Sequence, residues 1–214
     1  MPSTEEIFGT LRTLQREGKI REIGVSNHGV LQMKALAAAG MSIAINELPY
    51  NLISRAIEAE ILPYCQQNKI AVLGYMAYQQ GILTGDYADF GALSPGQAHS
   101  RHFHFSRGAE QSRHGEAGAE AEIQALLKIL RGIADEFGVP VATVSLAWAM
   151  ANRNVALNLV GSRNLEQLRS NIQAAEFTLP EDALHTLDAH SRPVWDALGD
   201  SPDYYEHRSE SRIY

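Results

Sequence analysis

Short apolar runs alternate with helical patterns along most of the chain, and this alternation is the feature that most restricts the fold. Alternation of this kind favours βα units and a parallel sheet. A doubly wound sheet and a barrel both fit the pattern, and periodicity alone does not separate them. The predicted strands are residues 20–25, 42–48, 70–75 and 155–160.

The helices between these strands are predicted from apolar residues spaced three and four apart. Ser3 followed by Glu6 predicts a capped start to the first helix. Asn27 is expected to cap the second helix, and Pro63 is expected to kink the third. The predicted helices fall within residues 3–17, 27–39, 55–68, 123–137, 140–151, 164–172 and 180–187.

In two segments the apolar residues show no clear helical or strand periodicity. Residues 85–118 are rich in Gly, His, Arg and Ser, and a loop of this length in a compact domain is usually functional or disordered. Residues 191–214 form a polar and aromatic tail. We therefore expect one domain over residues 1–214, with a long loop and an irregular C-terminal segment.

Charge and cysteine content narrow the function classes. The net charge of −7 argues against a nucleic-acid-binding surface, which needs a basic patch. Cys65 is the only cysteine, so no internal disulfide forms and a reducing compartment is the simpler interpretation. No apolar run approaches the ~20 residues that span a membrane, and the first residues lack a signal-peptide pattern. We expect a cytoplasmic protein with no nucleic-acid or membrane partner.

Polar residues follow each predicted strand, where α/β proteins of this kind place their ligands. Each group can orient a ligand, and each fits equally well as a loop cap or turn former. The groups are Ser26 and Asn27, Asn46 and Glu47, Tyr75, and residues 161–164.

The loop after the fourth strand has the clearest physical indication of ligand binding. Gly161 allows a ligand to approach the backbone, and residues 162–164 precede a helix N-terminus that attracts anions. Arg163, with Arg169 further along, can add charge for a phosphate. The alternative is that Asn164 merely caps a surface helix.

Four histidines in the long loop raise the question of a metal site, since imidazole suits zinc and nickel. No cysteine or well-spaced carboxylate accompanies them, so we assign no metal ligands. The histidines are His99, His102, His104 and His114.

Five segments resemble, in order, motifs of the aldo-keto reductase family. They are residues 18–27 (GKIREIGVSN), 46–52 (NELPYNL), 62–65 (LPYC), 75–85 (YMAYQQGILTG) and 161–168 (GSRNLEQL). The resemblance extends over roughly residues 3–190. It implies an α/β fold of the (β/α)8 TIM-barrel type, of which this chain supplies about half, as four parallel strands with helices.

The resemblance also implies a site for NADP(H). Ser26 and Asn27 should bind the nicotinamide carboxamide, and Tyr75 should stack on the nicotinamide ring. The pyrophosphate should lie along Gly81, Ile82 and Leu83. The loop that begins at Gly161 should hold the adenosine 2′-phosphate and adenine through Ser162, Arg163, Gln167 and Asn171.

Glu47 departs from the family pattern, because the family usually has glutamine at this position. A carboxylate accepts from the carboxamide NH2 group but does not donate to its oxygen unless protonated. Asn46 beside it is a candidate to compensate.

The family's catalytic Asp, Tyr, Lys and His precede the matching segment, and we assign no catalytic residue here. The four lysines each fall in a predicted helix or connecting turn: Lys19, Lys34, Lys69 and Lys128. The resemblance implies NADPH-dependent carbonyl reduction or alcohol oxidation. The alternative is a truncated, inactive remnant that binds only nucleotide or a protein partner.

Four strands make half a barrel, so its inner face and two strand edges would lie open. We therefore expect the isolated chain to be either poorly folded or self-associated, unless residues 85–118 fold inward over the open face.

Overall fold

A computed structural model describes residues 4–87 and 89–214. The predicted alternation of strands and helices is confirmed. The elements are α1 (Thr4–Arg16), β1 (Gly24–Ser26), α2 (Val30–Ala38), β2 (Ile45–Pro49), α3 (Ile61–Gln67), β3 (Ala71–Tyr75), α4 (Pro95–Ala98), α5 (Glu120–Phe137), α6 (Val141–Ala151), β4 (Leu157–Asn158), α7 (Leu165–Glu176) and α8 (Glu181–Leu198). Ser3, on which the predicted capping pattern depends, lies outside the described residues.

The described strands form one sheet in the order β1-β2-β3-β4, and every neighbouring pair is parallel. One row of the register crosses all four strands, through Ser26, Glu47, Leu73 and Leu157. Because each strand neighbours the next along the chain, the sheet turns steadily in one direction, as in a barrel.

The two faces of the sheet differ in burial. Asn46 and Val72, one position before the row through Glu47 and Leu73, are buried beneath the helices. In the row itself Glu47 and Leu73 are only half-buried, and Leu157 is exposed. Side chains alternate between faces along a strand. Helices therefore cover one face, and the face that is the inside of a closed barrel lies open.

The core lies on the helical side of the sheet. The apolar stripe predicted along residues 123–137 is confirmed: Ile123, Leu126 and Leu130 in α5 are fully buried. They join a cluster with residues of α3, α6 and α8, including Trp148 stacked on Tyr50. A second cluster packs α1 and α2 against the start of the sheet.

The prediction that Asn27 caps α2 was wrong. The N-cap residue is Gly29, and Gln32 closes the first turn by accepting from the Gly29 N–H. Asn27 instead has φ 55°, a left-handed conformation that asparagine tolerates better than most residues. It lies in the turn that follows β1, where its side chain can form hydrogen bonds with residues at the ends of the neighbouring strands.

The predicted helix over 55–68 is two elements. A 3-10 turn over Ala56–Glu58 precedes α3, which begins at Ile61. Pro63 lies in the first turn of α3, where its missing N–H needs no helical partner, so no kink within a longer helix arises.

The strands are shorter than predicted at both sheet edges. β1 has three residues and β4 has two. Ala156 and Leu159 still donate to Val72 and Gly74 of β3, so the segment around β4 remains extended against its one neighbour.

The two segments without a period contain more order than predicted. Residues 85–118 include α4 and two 3-10 turns, and residues 191–198 complete α8. Arg101 is fully buried and joins the two segments: its guanidinium donates to Glu116 and to the carbonyls of Ser201 and Asp203. A buried guanidinium needs this many acceptors to offset its desolvation. Among the described helices, none is long and apolar enough to cross a membrane.

Candidate functional site

Two neighbouring cavities open at the carboxyl ends of the strands. The larger, a groove of about 690 Å³, lies between residues 76–86 and 159–171. The smaller, about 330 Å³, lies among the ends of β1 to β3 and residues 202–213. Tyr75 lines the smaller cavity and Met76 lines the groove, so the end of β3 separates the two. This arrangement suits a long ligand that lies across β3.

The first wall of the groove is an unusual turn after β3. Met76, Gln80 and Gly81 have φ of 58°, 54° and 97°. Non-glycine residues in this region cost free energy and concentrate at functional sites. Gly81 lines the groove, whereas the side chains of Ile82 and Leu83 are fully buried in the core. Of these three residues, the structure brings only Gly81 to the groove.

The second wall is the start of α7. Asn164 caps this helix by accepting from Gln167 N at 2.8 Å, and Gln167 Oε1 accepts from Arg163 N at 2.8 Å. These bonds hold residues 161–164 across the helix N-terminus, where the helix dipole favours anions. Nothing lies within 4 Å of the position a Gly161 side chain would take, so its backbone is accessible. The cap expected of Asn164 is confirmed.

A hydrogen-bond chain crosses the groove. Asn171 donates from Nδ2 to Ser162 Oγ at 2.9 Å, and its Oδ1 accepts from Tyr78 OH at 2.7 Å. Burial raises the pKa of Tyr78 to about 12, so the hydroxyl remains a donor at neutral pH. Asn171 and Ser162 were predicted from the sequence, whereas Tyr78 was not.

Arg163 supplies the positive charge of the groove. Its side chain is exposed on the groove wall, and among the described residues its guanidinium has no ion pair or hydrogen bond. Arg169 does not line the groove. Asp86 lies on the opposite wall and accepts from Thr84 Oγ1 at 2.8 Å. An anionic ligand would therefore bind toward α7 and away from Asp86.

The smaller cavity brings together the ends of β1 and β3. Tyr75 donates from its hydroxyl to Asn27 Oδ1 at 2.9 Å, which leaves the Asn27 NH2 group to donate. Ser26 Oγ lies 3.3 Å from the Glu47 carbonyl oxygen. Burial raises the pKa of Tyr75, with the bond to Asn27 opposing the shift and the Glu47 carboxylate adding to it. Ser26, Asn27 and Tyr75 thus share one site.

Asn46 does not compensate for Glu47. It is fully buried beneath the helices, where Nδ2 donates to the His28 carbonyl and Oδ1 accepts from His28 N. Its amide therefore fixes the turn after β1. Adjacent residues of a strand point to opposite faces, so the Glu47 carboxylate lies on the open face without help from Asn46.

The C-terminal segment closes the smaller cavity. Arg212 donates to Asp203 at 3.1 Å, and Tyr205 OH lies 3.4 Å from Met76 Sδ. Burial alone raises the pKa of Asp203, but the hydrogen bonds from Arg212 and the neighbouring backbone outweigh it, and the net pKa is lowered. The C-terminal segment has no periodic pattern of apolar residues, so the sequence did not predict Asp203 or Arg212 as residues of this cavity.

The four histidines of the long loop differ in burial. His102 is buried and stacks on Tyr204, with ring centroids 4.5 Å apart. Burial lowers the pKa of His102 to about 3. His114 is also buried and lies near enough to His102 to act on it electrostatically, whereas His99 and His104 are half-buried. Across residues 4–87 and 89–214, no group of three or more His, Cys, Asp or Glu side chains is arranged to hold a metal ion.

The parallel sheet and the cavities at its carboxyl edge define an α/β protein of the TIM-barrel type. The sequence profile of the aldo/keto reductase family matches residues 2–192, and the chain belongs to this family. The fold and family predicted from the sequence are confirmed.

Individual relatives agree with this membership. The chain is 29% identical over 186 residues to the NADH-specific methylglyoxal reductase of Escherichia coli K12, covering 85% of this chain and 52% of the relative. It is 32% identical over 189 residues to Protein tas of the same strain, covering 86% of this chain and 51% of that protein. The chain therefore spans about half the length of these curated relatives.

A solved structure shares the fold. It is a thermostable aldo-keto reductase in complex with the inhibitor epalrestat, with a TM-score of 0.62 and 24% sequence identity. The match covers 88% of this chain and 57% of the crystallised chain.

Proposed function

We propose that this chain carries the NADP(H)-binding part of an aldo-keto reductase that reduces carbonyl compounds to alcohols, or runs the reverse oxidation. The observation that carries the proposal is the pair of cavities divided by the end of β3. A dinucleotide has an anionic end and a planar nicotinamide end, and the two cavities offer chemistry for each.

The groove fits the adenosine end. Arg163 presents an exposed guanidinium beside a helix N-terminus, and arginine recognises phosphate through charge-assisted hydrogen bonds. Ser162 and Gln167 line the same wall. An extra 2′-phosphate distinguishes NADPH from NADH, so we infer a preference for NADPH. The NADH-specific relative shows that family membership alone does not decide this preference.

The smaller cavity fits the nicotinamide end. The Asn27 NH2 group can donate to the carboxamide oxygen, and the Ser26 hydroxyl oxygen can accept from the carboxamide NH2 group. The Tyr75 ring provides a flat surface beside them. Bound NADPH supplies hydride. The protein's part is to hold the ring against Tyr75 and to exclude water with Tyr205 and Arg212 of the C-terminal segment.

The described strand ends carry no lysine, which in the family's tetrad accompanies the tyrosine that acts as general acid. The four lysines lie in or beside helices, as predicted: Lys19 follows α1, Lys34 is in α2, Lys69 follows α3 and Lys128 is in α5. This observation favours the second candidate, a chain that binds nucleotide without reducing a carbonyl by itself.

The single cysteine bears on the compartment. Since Cys65 is buried and unpaired, we propose that the protein works in a reducing compartment, the cytoplasm.

Fluorescence titration of the purified chain with NADPH and NADH tests the proposal. A charge-assisted contact to the 2′-phosphate is worth about 1.5–3 kcal/mol, so NADPH should bind roughly ten- to a hundredfold more tightly. Equal dissociation constants would refute the NADPH preference. Absence of binding by either nucleotide would refute both candidate functions that involve nucleotide.

A further inference from the structure

Glu47 places a carboxylate beside the surface proposed for the nicotinamide ring. In the register of the sheet, Glu47 pairs with Ser26 on one side and with Leu73 on the other. Side chains alternate along a strand, so Glu47 shares the face of the sheet that Leu73 and Tyr75 occupy. Strands lie about 4.8 Å apart and rise about 3.3 Å per residue, so the Cα atoms of Glu47 and Tyr75 are about 8 Å apart.

The Tyr75 ring extends over the strand that carries Glu47. Tyr75 belongs to β3, yet its hydroxyl donates to Asn27 Oδ1 at 2.9 Å, in the turn after β1. β2 lies between these two strands, so the ring crosses the carboxyl end of β2. The pKa of Tyr75 agrees with this position, because burial raises it most and the Glu47 carboxylate raises it further. A planar ligand held against Tyr75 therefore lies within electrostatic reach of Glu47.

The ion pairs of the C-terminal segment contribute little net charge at Tyr75. Two carboxylates of this segment pair with two guanidinium groups: Asp203 with Arg212 at 3.1 Å, and Glu206 with Arg113 at 3.2 Å. Opposite charges this close nearly cancel at a distance. Asp203 and Arg212 accordingly act on the Tyr75 hydroxyl with opposite signs. Glu47 therefore supplies the net charge that the described residues around Tyr75 present to a bound ring.

The two oxidation states of the proposed cofactor differ in charge at the nicotinamide ring alone. The oxidised ring is a pyridinium cation and the reduced ring is neutral, whereas the phosphates and the carboxamide are the same in both. A carboxylate near the ring attracts the cation and leaves the neutral ring nearly unaffected. Hydrogen bonds to the carboxamide do not distinguish the two forms in this way.

We propose that Glu47 makes the site select between the oxidation states, by binding NADP⁺ more tightly, relative to NADPH, than an uncharged side chain would. This inference rests on the proposed nicotinamide site at Tyr75. In the proposed reduction, hydride passes with two electrons from the reduced ring to the carbonyl carbon, a proton from solvent reaches the oxygen, and the ring is left as the cation. Because Glu47 stabilises that cation, it favours carbonyl reduction over the reverse oxidation.

Isothermal titration calorimetry with NADP⁺ and NADPH tests the inference through the ratio of the two dissociation constants. E47Q is isosteric and uncharged, and NADP⁺ should weaken about fivefold relative to NADPH, as expected for unit charges about 7–8 Å apart in a partly hydrated site. E47D keeps the charge and should retain the wild-type ratio within about twofold. D86N removes a carboxylate from the groove, outside the smaller cavity, and should leave the ratio unchanged even where both constants shift.

The ratio separates the charge of Glu47 from other effects of the substitution. The glutamine side chain of E47Q can donate to the carboxamide oxygen, but both oxidation states carry that group, so the contact cancels in the ratio. Circular dichroism should show all variants folded as the wild type, since the Glu47 side chain is only half-buried.

Three results would contradict the inference. An E47Q ratio equal to that of the wild type would overturn it while leaving the proposed nucleotide site intact. An E47D ratio as low as that of E47Q would show that the charge is not the cause. Absence of binding of either form to the wild-type chain would overturn the inference together with the proposed function.

Discussion

The hydroxyl of Tyr78 donates to Oδ1 of Asn171 at 2.7 Å and so joins the two walls of the larger groove. Asn171 is thereby oriented with its NH2 group toward Ser162 and the Gly161 carbonyl. The bond links the turn after β3 to α7, two segments far apart in the sequence. It therefore sets the position of the wall that carries Arg163.

Removing this hydroxyl should weaken nucleotide binding. In Y78F the Asn171 amide loses its fixed orientation, and one half-buried hydrogen bond is worth about 1 kcal/mol, so NADPH affinity should fall about fivefold. Y64F, at a tyrosine of α3 that does not line the groove, should bind as wild type. Titration of the three proteins measures the difference. Unchanged affinity in Y78F would show that the groove wall does not depend on this bond.

The isolated chain should not reduce simple aldehydes with NADPH above the uncatalysed background. A positioned general acid contributes about 10²–10⁴-fold in rate, and the described strand ends lack the lysine that accompanies it in the family. Absorbance of NADPH over a series of protein concentrations measures this. Turnover proportional to protein concentration would mean that a catalytic group has been missed.

Buried His102 should make the fold sensitive to acid. Burial lowers its pKa to about 3, against about 6.5 in an unfolded chain. Below pH 6.5 the unfolded chain takes up a proton that the folded chain does not, so stability is lost as pH falls. The contribution is about 1.4 kcal/mol per pH unit over this window.

Urea unfolding at a fixed protein concentration, between about pH 6.5 and 4, measures this slope. H102N should have a slope shallower by about that amount, whatever its absolute stability. H190Q, at an exposed histidine of α8, should retain the wild-type slope. An H102N slope equal to that of the wild type would show that His102 is protonated in the folded chain.

Arg101 should be essential for joining the long loop to the C-terminal segment. Its guanidinium is fully buried and donates to the Glu116 carboxylate of the long loop and to backbone carbonyls of the C-terminal segment. R101M removes the buried donor from the Ser201 and Asp203 carbonyls and leaves Glu116 with Arg208 alone, so the free energy of unfolding should fall by about 3–5 kcal/mol. R113M removes the ion pair to Glu206 from an arginine that is 60% exposed, and should cost less than about 1 kcal/mol. Similar losses in both variants would contradict this assignment.

The features predictable from sequence were those encoded by local pattern. The stripe of α5 from Ile123 to Phe137 and the cap at Asn164 depend on residues within a few positions of one another, and both are confirmed. The presence of four parallel strands also followed from the alternation. The motifs identified the family, and thus separated the barrel from the doubly wound sheet.

What the sequence could not predict depends on contacts between distant segments. Asn27 was assigned as a helix cap because the residue type suits one, but its positive φ belongs to the strand end. Asn46 was expected to compensate for Glu47 because the two are neighbours in sequence. Side chains alternate along a strand, however, so the two residues point to opposite faces of the sheet. Asp203 and Arg212 reach the smaller cavity through the path of an irregular tail, which no local period encodes.

The central claim is that the loop before α7 recognises the 2′-phosphate through Arg163, and one substitution tests it most directly. R163Q removes the positive charge from the groove wall, and R21Q, at an exposed arginine outside both cavities, is the matched control. We predict that R163Q weakens NADPH binding by at least about tenfold while NADH binding stays unchanged, and that R21Q binds both as wild type. Equal losses for the two nucleotides, or no loss for either, would contradict the account.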